Sequence, residues 1–237
     1  MFQFRQFTIH QDRCAMKVGT DGVLLGAWAK GGNHILDIGT GTGVIALMMA
    51  QRFPKAIISA IDIDSDAFLQ ASENVENSLF KERIHLSHSS LQDFSDKWIS
   101  DGNPLFDCIV SNPPFFVKSL KNPDGKRTLA RHADTLPYSV LFRHVSKLLT
   151  EDGEFSAIIP TEQLKDFTAE AYLHALQTIR LFHVKTTSAK LPKRCLVSFS
   201  KKTPYYNIIE EQTVNLLSSS GERSDWYQEI TKDFYLK

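Results

Sequence analysis

Four consecutive residues, Asn112-Pro113-Pro114-Phe115, set a planar amide and an aromatic ring on either side of a stiff turn. They follow Phe106-Asp107-Cys108-Ile109-Val110-Ser111, a short apolar run bounded by turn residues that reads as a buried strand. Two prolines in succession cannot extend that strand or sit inside a helix, so the backbone must leave the sheet there. The carboxyl end of a parallel strand is where α/β proteins carry their chemistry. An amide held at such a place suits a substrate that is itself a planar amine or amide. An isolated Asn-Pro-Pro is more often an ordinary strand-ending turn; the rest of the chain is what favours the chemical reading.

A second constellation supplies a partner for that turn. Ile35-Leu36-Asp37-Ile38-Gly39-Thr40-Gly41-Thr42-Gly43 is a strand that runs into a glycine turn and then a helix. Gly39 is expected to make the turn, Gly41 to let backbone approach a ligand, and Gly43 to allow close helix–strand packing. The spacing is GxGxG rather than the GxGxxG of dinucleotide sites. An Asp just before the glycines would repel a pyrophosphate, whereas it stabilises an ammonium group. About two dozen residues on, Ala60-Ile61-Asp62-Ile63-Asp64 ends a second strand, and a carboxylate there can accept from both hydroxyls of a ribose. A nucleoside carrying an amino-acid arm satisfies both acids, and S-adenosylmethionine is such a molecule; S-adenosylhomocysteine would be its product.

The elements that must position these groups alternate. Strand-like runs are expected at His34–Ile38, Ile57–Ile61, Ile84–Ser87, Phe106–Ser111 and Glu154–Ile159. Helical patterns lie at Gly43–Phe53, Ser65–Ser78 with Ser65 as N-cap, Leu91–Ser100, Ser139–Leu149 and Thr161–Ala175. Strands alternating with helices imply a mostly parallel sheet with helices on both faces. Ile179–Lys185 and Arg194–Ser200 are too close for a helical crossover and should pair as an antiparallel hairpin. The whole is expected to be one domain: residues 1–30 a flap over the ligand edge, 31–202 the catalytic core, 203–237 an extension.

The 237 residues are 42% hydrophobic and 23% charged, which is ordinary for a globular domain. Cys14, Cys108 and Cys195 are odd in number and far apart, so neither a disulfide framework nor a zinc site is indicated and a reducing compartment fits. The longest apolar run, Val44 to Ala50, is too short for a membrane span, and the first residues lack a signal peptide's apolar core. A cytoplasmic monomer needing neither membrane nor metal is the expectation. Net charge is zero, yet its distribution is uneven. Lys118, Lys121, Lys126, Arg127 and Arg131 stand against Asp124 alone, and Lys185, Lys190, Lys193, Arg194, Lys201 and Lys202 meet no acid. Two basic segments suggest one positive face, although solvated surface stretches would look the same.

On these motifs the chain resembles the class I S-adenosylmethionine-dependent methyltransferases: Asp37 to Gly43 is similar to their first motif, Asp62 to their ribose acid, and Asn112 to Phe115 to their amino-methyltransferase motif. The fold implied is Rossmann-like, with a mostly parallel seven-stranded sheet ending in an antiparallel hairpin. The flanks are narrower. Met16-Lys17-Val18-Gly19-Thr20-Asp21-Gly22-Val23-Leu24-Leu25-Gly26-Ala27-Trp28 and Arg127-Thr128-Leu129-Ala130-Arg131-His132 resemble the bacterial tRNA1(Val) adenine-37 N6-methyltransferase family. That resemblance implies a tRNA substrate, the adenine 3′ of the anticodon as target, and Lys17, Thr20 and Ser90 beside the cofactor together with Asp37, Gly39, Gly41, Gly43 and Asp62. It further implies that Asn112 Oδ1 and the Pro113 carbonyl accept the two N–H protons of the target amine, and that Phe115 stacks on its ring. Lys118, Lys121, Arg127, Arg131, His132, Lys193 and Arg194 are then the expected RNA contacts. Many relatives carry an acid after the third strand to read the cofactor's adenine, where this chain has His88-Ser89-Ser90-Leu91, so that Ser90 or the Leu91 backbone would take that place.

The same four-residue device serves a ribosomal-RNA guanine N2 methyltransferase or a protein-glutamine methyltransferase. The glutamine type usually carries an N-terminal helical domain, and a DNA adenine methyltransferase a larger recognition region. A cofactor-fold module that binds RNA without catalysis is the non-enzyme alternative, disfavoured by intact Asp37, Asp62 and Asn112. The glycine spacing disfavours an NAD-dependent oxidoreductase.

Overall fold

The computed structural model describes residues 1–14, 17–113, 136–202 and 209–236. Strands β1 (Phe2–Gln3) and β2 (Thr8–Ile9) form a small antiparallel pair, and α1 (Thr20–Trp28) follows. Then come β3 (His34–Ile38), α2 (Val44–Arg52), β4 (Ile57–Asp62), α3 (Ser65–Glu76), β5 (Ile84–His88), α4 (Leu91–Ser100) and β6 (Phe106–Ser111). The chain continues through α5 (Tyr138–Leu148), β7 (Leu149–Pro160), α6 (Leu164–Leu173), β8 (Gln177–Lys185), β9 (Arg194–Ser200), β10 (Glu210–Asn215) and α7 (Asp225–Thr231).

The main sheet has the order β10-β8-β9-β7-β6-β3-β4-β5. From β7 to β5 every pairing is parallel, and β9 runs antiparallel to both β7 and β8. The expected seven strands and terminal hairpin are present. An eighth strand, β10, joins from the C-terminal extension and pairs parallel with β8, so that β8 is not left as an open edge. The order reverses between β3 and β6, which start the two wings of the sheet. At such a switch point the loops diverge and leave a crevice.

Period-two alternation sorts the strand residues between two cores. Ile35, Ile58, Ala60 and Val110 pack with α1, α2 and Phe234, whereas Leu36, Ile38, Ile61 and Ile109 pack with α4, α5 and α6. Helix α1 lies close on α2 because Gly26 has no side chain; a Cβ there would stand 2.9 Å from Met48 Sδ. The expected N-cap of α3 needs correcting by one residue. Asp64 holds the cap, its Oδ1 accepting from the Asp66 and Ala67 N–H groups, while Ser65 is already helical. Leu149, expected at the end of a helix, begins β7 instead. Its strand meets β6 through a register shift between Phe106 and Cys108.

The three cysteines are free and buried. Among the described residues no helix is long and apolar enough to cross a membrane, and no group of His, Cys, Asp and Glu side chains could hold a metal ion.

Candidate active site

Ile38 and Ser111 are ladder partners at the carboxyl ends of β3 and β6. Gly39 and Asn112 are each the next residue, so the glycine turn and the Asn-Pro turn leave the sheet side by side. The Ser111 hydroxyl donates to the Ile38 carbonyl at 2.9 Å from a wholly buried position and ties the two exits together. Pro113 is buried. Asn112 Oδ1 is buried and has no hydrogen-bond partner among the described residues. A buried acceptor left unpaired is costly unless something else comes to donate to it. Pro114 and Phe115 lie outside the described residues.

Across the strand on the other side, Ile38 pairs with Ile61, and Asp62 follows. The Gly39 and Thr40 N–H groups both donate to the Ile61 carbonyl at 2.9 Å, folding the turn over the end of β4. Gly39, Gly41 and Gly43 have φ of +70°, +58° and +81°. Such values are strained for any residue with a Cβ. A Cβ on Gly39 or Gly41 would meet nothing within 4 Å, so both face open space. Gly43 differs from expectation: its neighbour is Ala71 of α3 at an ordinary 3.5 Å, so its backbone angle, not close packing on a strand, requires glycine.

Asp62 uses both oxygens on backbone donors, Oδ2 on Gly41 N–H at 2.8 Å and Oδ1 on Asp64 N–H at 3.0 Å. Burial raises its pKa, partly offset by those hydrogen bonds. Each oxygen keeps a second lone pair free to accept from a ligand hydroxyl. Asp37 lies beneath the loop rather than in the open. Its Oδ2 accepts from the Thr40 hydroxyl at 2.7 Å and the Ala46 N–H at 3.2 Å, and its Oδ1 is buried without a partner. Burial pushes its pKa up to about 7, against the two hydrogen bonds that lower it. In the folded state the proton is thus held more tightly than in the unfolded chain. Stability from this group should be complete below about pH 4 and decline as pH rises through about 7. Thermal unfolding at pH 5 and pH 8 should show this loss, and Asp37→Asn should remove it.

The other expected site residues are less concentrated. Thr20 opens α1 and is exposed; Lys17 is exposed and donates to the Gln11 carbonyl at 3.1 Å. Ser90 is engaged as the N-cap of α4, accepting from Asp93 N–H at 3.1 Å and donating to Asp93 Oδ2 at 2.7 Å. Arg194, at the start of β9 opposite Pro160, donates from Nε to Asp21 Oδ2 at 2.8 Å, which brings the start of α1 to the ligand edge of the sheet. Lys193 is exposed beside it. The second basic segment does not form one face. Lys201 and Lys202 sit past the opposite end of β9 and pair with Glu151 and Asp152. Lys118, Lys121, Arg127, Arg131 and His132 lie outside the described residues.

Comparison with known proteins adds the decisive observation. Residues 18–179 match the family described as the methyltransferase small domain. A tRNA1(Val) (adenine(37)-N6)-methyltransferase of Parabacteroides distasonis is 47% identical, over all of this chain and 98% of the relative. Proteins of the same name from Bacteroides thetaiotaomicron and Flavobacterium johnsoniae are 45% and 42% identical, over 97% and 100% of their lengths and 99% and 100% of this chain.

The chain belongs to the tRNA1(Val) (adenine(37)-N6)-methyltransferase family.

Solved structures agree on the fold. A predicted O-methyltransferase from Agrobacterium tumefaciens superposes with a TM-score of 0.71 at 16% identity, over 90% of this chain and 96% of that one. A putative RNA methyltransferase from Pyrococcus horikoshii gives 0.51 at 17% identity, over 73% and 75%. The glycine turn and the Asn-Pro turn of this chain are therefore set in a class I methyltransferase sheet. Sequence reasoning missed Thr40, Ser111, Gln70 and Asn74. The last two were legible in principle, as polar residues at buried positions of a helix whose other inward residues are Ala67, Ala71 and Val75.

Proposed function

We propose that this chain transfers a methyl group from S-adenosylmethionine to N6 of the adenine 3′ of the anticodon, position 37, in tRNA1(Val), as the names of its relatives describe for them. The observation that carries the reading is the buried, unpaired Asn112 Oδ1 one residue beyond the strand pairing that sets it beside the glycine turn. The residues fit the cofactor: open space over Gly39 and Gly41, carboxylate lone pairs at Asp62, and Asp37 supporting the glycine turn from beneath through Thr40 and Ala46. Bound there, S-adenosylmethionine supplies an electrophilic methyl group on a sulfonium.

The chain's own residues act on the nucleophile. An exocyclic amine on adenine is a weak nucleophile because its lone pair is delocalised into the ring. Asn112 Oδ1 and the Pro113 carbonyl accept its two N–H protons, localise the lone pair and aim it. Because the prolines fix the acceptors in advance, this is positioning with electrostatic preorganisation. After transfer the amine nitrogen is acidic and solvent takes the proton, so no strong base is needed. An anticodon-loop base can be splayed into such a site with little loss of pairing. Phe115 stacks on the base in this reading, and Lys17, Thr20 and Ser90 lie at the cofactor's margin.

Lys193, with Lys118, Lys121, Arg127, Arg131 and His132, contacts RNA phosphates in the same reading, while Arg194 acts through its pairing with Asp21. Affinity for tRNA should then fall by at least about tenfold between about 50 and 200 mM salt. A flat response in a filter-binding titration would remove the phosphate contacts from the account. We read the enzyme as a cytoplasmic monomer that uses no metal.

Incubation with labelled S-adenosylmethionine and separate pools of tRNA, ribosomal RNA and protein tests the substrate class. Label confined to tRNA and recovered as N6-methyladenosine is expected. N2-methylguanosine in ribosomal RNA, or methylglutamine in protein, would replace the proposal.

A further inference from the structure

Two polar side chains inside α3 do more than fill a core. Asn74 is 1% exposed and uses three hydrogen-bonding positions. Its Oδ1 accepts from the His10 N–H at 2.8 Å, and its Nδ2 donates to the His10 carbonyl at 2.8 Å and to the Thr42 carbonyl at 2.9 Å. The amide thus reads both backbone groups of one residue in the N-terminal segment as a neighbouring strand would. With its remaining proton it holds the glycine turn between Gly41 and Gly43. One helical turn earlier Gln70, also 1% exposed, accepts from the Arg13 N–H at 3.1 Å. Burying two amides in a helix–loop contact is costly unless their partners are fixed, so these bonds hold the segment in one place.

The described part of the pinned segment reaches the candidate cofactor site at Cys14, beside Asp62. Gln11 Oε1 accepts from the Val18 N–H at 2.8 Å, and the Gln11 carbonyl accepts from Lys17 Nζ. Val18 precedes the start of α1, whose Asp21 pairs with Arg194 at the ligand edge. Cys14 is buried close to Asp62, Asp64 and Asp66, whose charges add to burial in raising its thiol pKa to about 11. The segment from His10 onward is therefore fastened to the helix that follows Asp62, and the same helix is fastened to the turn that would carry the cofactor's amino-acid arm.

We propose that Asn74 is a positioning residue for the cofactor site, holding the glycine turn at Thr42 and the N-terminal strap at His10 in one fixed relation, with Gln70 securing the strap's far end. This rests on the reading of the glycine turn as the S-adenosylmethionine site. Asn74 acts through the His10 and Thr42 backbone it holds, not on the reacting atoms. Because the turn and the strap share one amide, cofactor that orders one of them orders the other, and the coupling is reciprocal.

Calorimetric titration of S-adenosylmethionine, steady-state kinetics and limited trypsin digestion test this on the full chain. Arg13 and Lys17 provide cleavage sites in the strap. In the unaltered protein, cofactor should slow cleavage at both. Asn74→Ala should raise the Kd and the KM for cofactor about tenfold, lower kcat much less, and speed cleavage. Gln70→Ala leaves the Thr42 bond in place, so it should speed cleavage with a smaller rise in Kd; it keeps the test open if Asn74→Ala fails to fold. A purely structural role would lower the melting temperature without separating KM from kcat. If the unaltered protein binds cofactor and both variants match it in Kd and cleavage rate, the positioning role is overturned. If the unaltered protein does not bind cofactor at all, the reading of the site itself fails first.

Discussion

Asn112→Ala is expected to lower kcat by about 10²–10³-fold or more while S-adenosylmethionine binds as before. The side chain contributes an acceptor that is buried and unpaired one residue beyond the strand that sets it, so little reorganisation is needed when the amine arrives. Alanine removes that acceptor and leaves one N–H of the substrate without its partner. The glycine turn is held separately, by Ile61, Asp62 and Asp37, so the cofactor's own contacts should survive. Asn112→Asp keeps an acceptor oxygen and should retain more activity than alanine. Single-turnover rates at saturating cofactor, beside calorimetric Kd values, separate the two effects. An alanine variant with full activity would remove Asn112 from the chemistry.

The second large effect is expected at Asp62. Asp62→Ala should weaken S-adenosylmethionine binding by about 10²-fold, the order expected for losing hydrogen bonds from two ribose hydroxyls to a charged acceptor. Part of that loss is indirect, because Asp62 Oδ2 also holds the Gly41 N–H. Asp62→Asn retains an oxygen for Gly41 while giving up the charge and one acceptor, so it should fall between the two. Turnover at saturating cofactor should suffer less than Kd in both variants. Calorimetry giving an unchanged Kd for Asp62→Ala would sink the ribose assignment.

The inner half of this architecture was legible because it is written in short-range terms. The runs at His34–Ile38, Phe106–Ser111 and Arg194–Ser200 are apolar, bounded by turn residues, and became strands with those limits. Gly39, Gly41 and Gly43 each proved to need a positive φ. The outer parts depend on partners distant in sequence. Strand β10 is Glu210-Glu211-Gln212-Thr213-Val214-Asn215, polar along most of its length with only Val214 buried. Nothing local marks it as a strand; the unpaired edge of β8 does. Likewise Thr150-Glu151-Asp152-Gly153 falls between the expected helix and strand, yet lies within β7, where a Cβ on Gly153 would stand 2.8 Å from Leu149 and Thr150 side-chain atoms. Charge misled for the same reason: Lys201 and Lys202 are near Arg194 in sequence but a strand's length away from it, neutralised by acids of β7. At Asn74, a polar residue on an inward helix face was a sign of a long-range contact whose partners, His10 and Thr42, only the fold identifies.

As proposed, the Asn112 turn serves methylation of one adenine in one kind of RNA. It is tested most directly by incubating the protein with S-adenosylmethionine and unmodified transcripts of tRNA1(Val), one normal and one with guanine in place of adenine at position 37, followed by mass spectrometry of nuclease fragments. The account predicts near-stoichiometric N6-methyladenosine in the anticodon-loop fragment of the first transcript and none in the second. Equal methylation of both transcripts, or a methyl group found on another base, would contradict it.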